Sequence, residues 1–259
     1  MRAPRAAPRP CRRTALLALL AGAGLALIAP AARADQVRVL SAGAIEPGIR
    51  PAIAAFEQRS GHRVTLAFAT APQIRERIAA GEAFDLVIAP AAVLDALLLN
   101  APRVPIGSVG IGVAVREGAV PPDIATAEAF TQALRDADSL VFNRASTGLY
   151  IEGLLKQLGL DAMAAPKTTR YPDGAAVMEH VLHGRGRELA LGAITEIRLV
   201  RDRGLQFVGP LPGSVQNTTA YLASPTRVPP AEAAQALLRA LDSADARAAY
   251  DAAGIAPTR

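Results

Sequence analysis

Hydrophobic positions form short continuous runs that alternate with stretches of helical spacing, from Val37 to the C-terminal region. Val37, Val39 and Leu40 open the first run. Ile49, Ile53 and Phe56 then recur at intervals of three and four, and Gly61 follows as a helix stop. The run 64–68 leads into a second helix, with Pro72 in its first turn, Ile74 and Ile78 on its inner side and Gly81 at its end. A buried strand over 85–89 and an Ala/Leu-rich helix over 91–99 come next. The Pro/Gly segment 101–107 breaks the pattern, and 109–115 reads as an alternating strand with glycines on one side. Beyond it the pattern predicts helices over 126–137, 147–158 and 175–183, and strands over 140–142, 167–171, 188–193, 205–208 and 218–223. Two alanine-rich helices end the chain. This β-α-β alternation predicts an α/β fold of mostly parallel sheets flanked by helices.

Three strand–helix junctions consist of small residues: Ser41 to Ala44, Ala69 to Pro72, and Asn143 to Gly148. A helix N-terminus carries unpaired N–H groups and about half a positive charge. Small side chains let an anion reach those amides. The strands over 109–115 and 218–223 each follow a Pro/Gly-rich break and read as crossings between two lobes. Lobe I is then 35–107 with the return 218–259, and lobe II is 108–217. In such sheets ligands sit beyond the carboxyl ends of the strands, where these junctions fall.

Composition changes the picture at the N-terminus. Arg2, Arg5, Arg9, Arg12 and Arg13 precede an apolar stretch, and Ala32-Arg33-Ala34 precedes Asp35, the pattern of a signal peptide over 1–34 cleaved after Ala34. The Arg12-Arg13 pair leaves the general and the twin-arginine export routes both open. All 23 acidic residues lie from Asp35 onward, whereas six of the 28 basic ones precede it, so the remainder carries a formal charge of about −1 instead of +5. That balance and 4% aromatic residues argue against a nucleic-acid partner. The only cysteine, Cys11, leaves with the leader, so no disulfide or thiolate chemistry is expected. Nothing after Asp35 is apolar enough to span a bilayer.

The chain resembles type II periplasmic solute-binding proteins, and most closely the molybdate-binding family of ABC transporters. The resemblance rests on Val-Leu-Ser-Ala-Gly-Ala at 39–44, Phe-Ala-Thr-Ala at 68–71, Ala-Gly-Glu-Ala-Phe-Asp-Leu-Val-Ile at 80–88, Ser-Thr-Gly-Leu-Tyr at 146–150 and Leu-Ala-Leu-Gly-Ala at 189–193. It implies a two-lobed periplasmic fold, a small anionic ligand, a membrane permease as partner and a monomeric state. It implies no cofactor or metal. The implied ligand-binding positions are Ser41, Ala44, Thr70, Ala71, Ser146, Thr147, Gly148, Gly174 and Thr195. The family's pocket takes a serine hydroxyl from each of the first two junctions, where this chain has Ala44 and Ala71. The family's late tyrosine falls on Thr195, followed by Glu196. Each lost hydrogen bond to a charged group is worth roughly 1.5–3 kcal/mol, enough to move specificity away from molybdate.

A related branch, similar through Ser146 to Glu152, includes periplasmic aconitate isomerases. It implies an alternative in which the same scaffold moves a proton on a tricarboxylate. Arg144 or Arg170 would clamp carboxylates, and Glu196, Asp173 or His180 would be the base. Plainer roles compete with these. Ser146 and Asp173 are natural helix caps. His180 and His183, three apart, have no third metal ligand at a matching spacing and read as a solvated edge. Arg198, Arg201 and Arg203 read as a solvated run.

Overall fold

The computed structural model describes residues 35–99 and 101–258, so the expected leader lies outside the described residues. The elements follow the alternation of the sequence. The first half runs β1 (Gln36–Ala42), α1 (Glu46–Ser60), β2 (Arg63–Ala69), α2 (Ala71–Ala79), β3 (Leu86–Pro90) and α3 (Ala91–Ala96). After the long strand β4 (Val104–Arg116) come α4 (Ala127–Asp136), β5 (Ser139–Asn143), α5 (Ser146–Gln157), α6 (Asp161–Ala164) and β6 (Thr168–Tyr171). Next are α7 (Gly174–Leu182), β7 (Glu188–Ala193), α8 (Ile194–Leu199) and β8 (Leu205–Pro210). The chain closes with β9 (Thr218–Pro225), α9 (Glu232–Leu241) and α10 (Ala244–Ala253).

The strand order is β2-β1-β3-β9-β4-β7-β5-β6, with β8 also on β4. β1 pairs in parallel with β2 and β3, and β5 in parallel with β6 and β7. The strands that join the two parallel sets, β9 and β4, pair antiparallel with their neighbours. β4 is shared between them: Val104 to Gly110 pair with β9, and Ile111 to Arg116 pair with β7 and β8. Where β9 ends, the Gln216 side chain takes its place. Its Oε1 accepts from Ile111 N at 2.8 Å and its Nε2 donates to Ile111 O at 2.9 Å.

The Pro/Gly segment 101–107 is mostly strand, contrary to the break expected there. A register shift between Pro105 and Gly107 absorbs the proline and the glycine within β4. Gly107 also lets the C-terminal segment approach. A Cβ there would lie 2.6 Å from the Ala256 carbonyl oxygen, and Ser108 and Ala256 exchange backbone hydrogen bonds of 2.7 and 2.9 Å.

Buried side chains gather in separate cores. One contains Leu40, Ile49, Phe56, Ile88, Leu237 and Tyr250, drawn from the first half and the C-terminal helices. The others lie on the two faces of the second sheet, around Phe130, Phe142 and Leu191 and around Val141, Met178 and Ile197. Among the described residues no helix is long and apolar enough to cross a membrane.

Candidate functional site

The carboxyl ends of β1, β2 and β5 face a cavity of about 440 Å³. Its lining comes from both sheets. Gly43, Ala44, Glu46, Phe68, Thr70, Ala71 and Tyr221 belong to the first, and Asn143, Ser146, Thr147, Asp173, Gly174, Glu179, Glu196 and Arg203 to the second.

Six of the nine expected ligand positions line it: Ala44, Thr70, Ala71, Ser146, Thr147 and Gly174. The other three stand behind its wall. Ser41 is fully buried and its hydroxyl donates to Ala42 O at 3.2 Å. Thr195 is also fully buried and its hydroxyl donates to Ala44 O, tying α8 to the turn after β1. Thr195→Val is expected to lower unfolding stability by about 1–3 kcal/mol, because the Ala44 carbonyl loses its buried donor. A denaturant titration checks this. Gly148 is buried against Asn143 and leaves no room for a Cβ.

Asn143 explains how the third junction presents its amides. At the end of β5 its Oδ1 accepts from Ala145 N and from Gly148 N, both at 3.0 Å. The intervening amides of Ser146 and Thr147 lie in the first turn of α5, with no intrahelical acceptor. No side chain among the described residues caps them. α7 is arranged alike. Asp173 Oδ1 accepts from Ala176 N at 2.9 Å, leaving the amides of Gly174 and Ala175 in the first turn. At the second junction Gln73 Oε1 accepts from both Thr70 N and Thr70 Oγ1, at 2.8 and 3.0 Å.

Negative charge also lines the cavity, and most of it has a partner. Glu46 accepts from Arg50 Nε at 2.5 Å, and Arg50 also lies over the Phe68 ring. Glu179 accepts from Arg203 at 2.8 Å and lies 3.2 Å from His183 Nε2. Asp173 caps α7. Glu196 has no such partner, and its carboxylate packs directly against Gly174. Burial, then the charge of Asp173, push its carboxyl up to about 7. Glu46 adds a smaller push, and a backbone amide at Ala193 opposes it. The Tyr221 phenol is held protonated well above its ordinary range by burial and by the same glutamate.

Several expectations need correction. His180 is not in the cavity: its ring lies 2.7 Å from Tyr171 Oη and 3.0 Å from the buried Glu188, in a separate groove. It therefore cannot serve as a base here, and it is no solvated edge. Arg170 is occupied by Glu152 at 2.8 Å and by the Asn143 carbonyl, over the Phe142 ring, and neither it nor the exposed Arg144 lines the cavity. Arg203 is exposed, as the solvated run predicts, and it is also the one cationic side chain in the lining among the described residues. Sequence reasoning also missed Glu46, Asn143, Glu179 and Tyr221. Only Asn143, an Asn at a strand end just before a helix, carried a local signal for a cap. His/Cys/Asp/Glu clusters suited to a metal are absent among the described residues.

The sequence profile of bacterial extracellular solute-binding proteins matches residues 37–256. The chain is 33% identical over 237 residues to an aconitate isomerase from a Pseudomonas species, covering 85% of this chain and 87% of the relative. Among solved structures it is similar to the periplasmic molybdate-binding protein of Azotobacter vinelandii, with a TM-score of 0.67 and 16% identity over 86% of this chain and 100% of that one. It is also similar to a sulfate-binding protein of Mycobacterium tuberculosis, with a TM-score of 0.67 and 18% identity over 86% of this chain and 87% of that one. At such identities these structures speak for the fold alone: α/β, two-lobed, of the periplasmic binding-protein kind.

Proposed function

The chain belongs to the family of bacterial extracellular solute-binding proteins, and from that premise we propose that it captures a small organic anion with more than one carboxylate. The observation that carries the proposal is one cavity whose lining holds the first turns of α5 and α7, Arg203 and Glu196 together. Of the three hydroxyls nearest the missing serine and tyrosine positions, those of Ser41 and Thr195 are buried in backbone contacts and that of Thr70 donates to Gln73, which disfavours a compact tetrahedral oxyanion. An extended organic acid sets its carboxylates on separated donors and leaves its carbon skeleton or a hydroxyl against the acidic wall.

In this account 35–107 with 218–259 form one lobe and 108–217 the other. Contacts made by both lobes exist only when they close, so the ligand shifts the population toward closure. The protein is exported after cleavage at Ala34, acts as a monomer in the periplasm and delivers its ligand to the permease of an ABC-type importer. A thermal-shift panel of molybdate, tungstate, sulfate, and di- and tricarboxylates tests the reading. A carboxylate at about 100 times its Kd is expected to add about 2.7 kcal/mol of stability, a rise on the order of 5–10 °C. A shift with molybdate alone, or with no anion, overturns it.

Glu196 favours a second reading. A carboxyl that titrates near 7 in a ligand-sized cavity suits a general base, and the Pseudomonas relative is an aconitate isomerase. The base would take a proton from one carbon of a tricarboxylate, the double bond would shift, and the proton would return at another carbon, with no change in redox state. The two readings differ in the sign of their pH dependence. Anion affinity is expected to fall as pH rises through about 7, because ionised Glu196 adds negative charge to the lining. Turnover is expected to rise over the same interval, because the base must be ionised. Incubating the purified protein with cis- or trans-aconitate in deuterated buffer, with NMR of the products, decides between them: deuterium uptake and isomer exchange support the enzyme, and unchanged ligand supports capture alone.

A further inference from the structure

We propose that Arg203 is the carboxylate-selecting cation of this cavity and that Glu179 holds it in reserve, so that a ligand carboxylate engages it by displacing Glu179. The proposal rests on the organic-anion reading above and adds the residues that decide specificity. Arg203 ends a short 3-10 turn over Arg201–Arg203, where its N–H bonds Val200 O at 3.0 Å and Gly204 follows at positive φ. That turn delivers the side chain to the cavity rim.

Glu179 reaches the rim from α7, five residues past Gly174. The contact between the two is single: Arg203 Nη2 donates to Glu179 Oε2 at 2.8 Å, which leaves the other edge of the guanidinium for an incoming group. A ligand carboxylate can bond a guanidinium in bidentate fashion, a stronger arrangement than the single contact it replaces.

Exposure separates this pair from Arg170, and a place in the cavity lining separates it from Arg144, the two arginines considered as clamps. The Arg203 and Glu179 side chains are 57% and 52% exposed, so exchanging partners strands neither charge in a dry site, and the existing pair is weak. Arg170 is 24% exposed, bonded to Glu152 and to a backbone carbonyl, and covered by an aromatic ring, so releasing it would break several contacts at once. After losing Arg203, Glu179 keeps His183 at 3.2 Å on its other oxygen. Arg203 and His183 together already hold the Glu179 carboxyl below the usual carboxylate range, so it stays ionised as a competitor for the guanidinium at neutral pH.

The test is calorimetric titration of the wild type, Arg203→Gln and Glu179→Gln with trans-aconitate at one pH and salt concentration, with unfolding midpoints measured alongside. Arg203→Gln is expected to weaken binding by roughly 10- to 100-fold. Glu179→Gln is expected to tighten it by roughly two- to tenfold, since the competitor for the guanidinium is gone. A purely structural pair would not give opposite signs. If the wild type binds and Arg203→Gln binds as tightly, or if both variants weaken binding alike, the assignment is wrong while the organic-anion reading stands. If the wild type binds none of the di- and tricarboxylates, that reading falls and the assignment falls with it.

Discussion

Replacing Glu196 with glutamine is expected to make the ligand-free protein more stable at pH 8, by on the order of 2–3 kcal/mol, or about 4–10 °C in midpoint. The sign follows from the direction of the shift. Folding raises the carboxyl from its ordinary 4.5 to about 7, so the folded state binds the proton more tightly than the unfolded state. The stability tied to that proton is present in full below about 4.5 and is lost as pH rises toward 7; above 7 the ionised group is a constant burden. Glutamine keeps the shape and removes the charge. The difference in stability between variant and wild type should therefore be near zero at pH 4, grow between 4.5 and 7, and level off. Thermal unfolding of both proteins across that range checks it. A flat difference would mean that burial and the neighbouring Asp173 do not raise the Glu196 carboxyl in the folded protein. A site that keeps an unfavourable charge for the sake of its chemistry is the expected form of a trade between stability and activity.

Two glycine substitutions should separate fold from function. At Gly148 an added Cβ would lie 1.7 Å from the Asn143 carbonyl oxygen, a backbone atom, and 2.9 Å from the Asn143 Oδ1 that caps the junction. Neither can yield without moving β5 or α5. Gly148→Ala is therefore expected to lose roughly 3 kcal/mol or more in a denaturant titration. At Gly174 the added Cβ would lie 2.0 Å from Glu196 Oε2, the far end of a side chain that can turn away. Gly174→Ala is expected to change stability little, to displace the Glu196 carboxylate and to alter ligand affinity or turnover. A large loss of stability at Gly174 with none at Gly148 would contradict this description of the two junctions.

The parts of the site visible in the sequence are those made locally. Ala71, Ser146 and Gly174 each stand where an apolar run or a cap gives way to a helix, and a short polar or small residue at that place is a signal in itself. The side to which a residue turns was harder to read. Ser41 lies at the same junction as Ala44, but its hydroxyl is buried and donates to the carbonyl of Ala42 on its own strand. Thr195 sits in α8, a helix of six residues, too short to show a period that would reveal its buried side. Arg203, Glu179 and Tyr221 line one cavity only because α7, the turn after α8 and β9 come together there, and no local pattern marks such a convergence. The length of β4 was hidden for a different reason: Pro105 and Gly107 are usual breakers of strands, and here a register shift accommodates them.

In the proposed function, amides of separate junctions converge on one anion in the cavity that both sheets line. Following the backbone amide resonances of the 15N-labelled protein during titration with trans-aconitate tests it most directly. Saturable shifts are expected at Ser146, Thr147, Gly174 and Ala175, together with Ala71 from the first half of the chain. Saturable binding that leaves those amides unmoved and shifts only residues outside the cavity would contradict it.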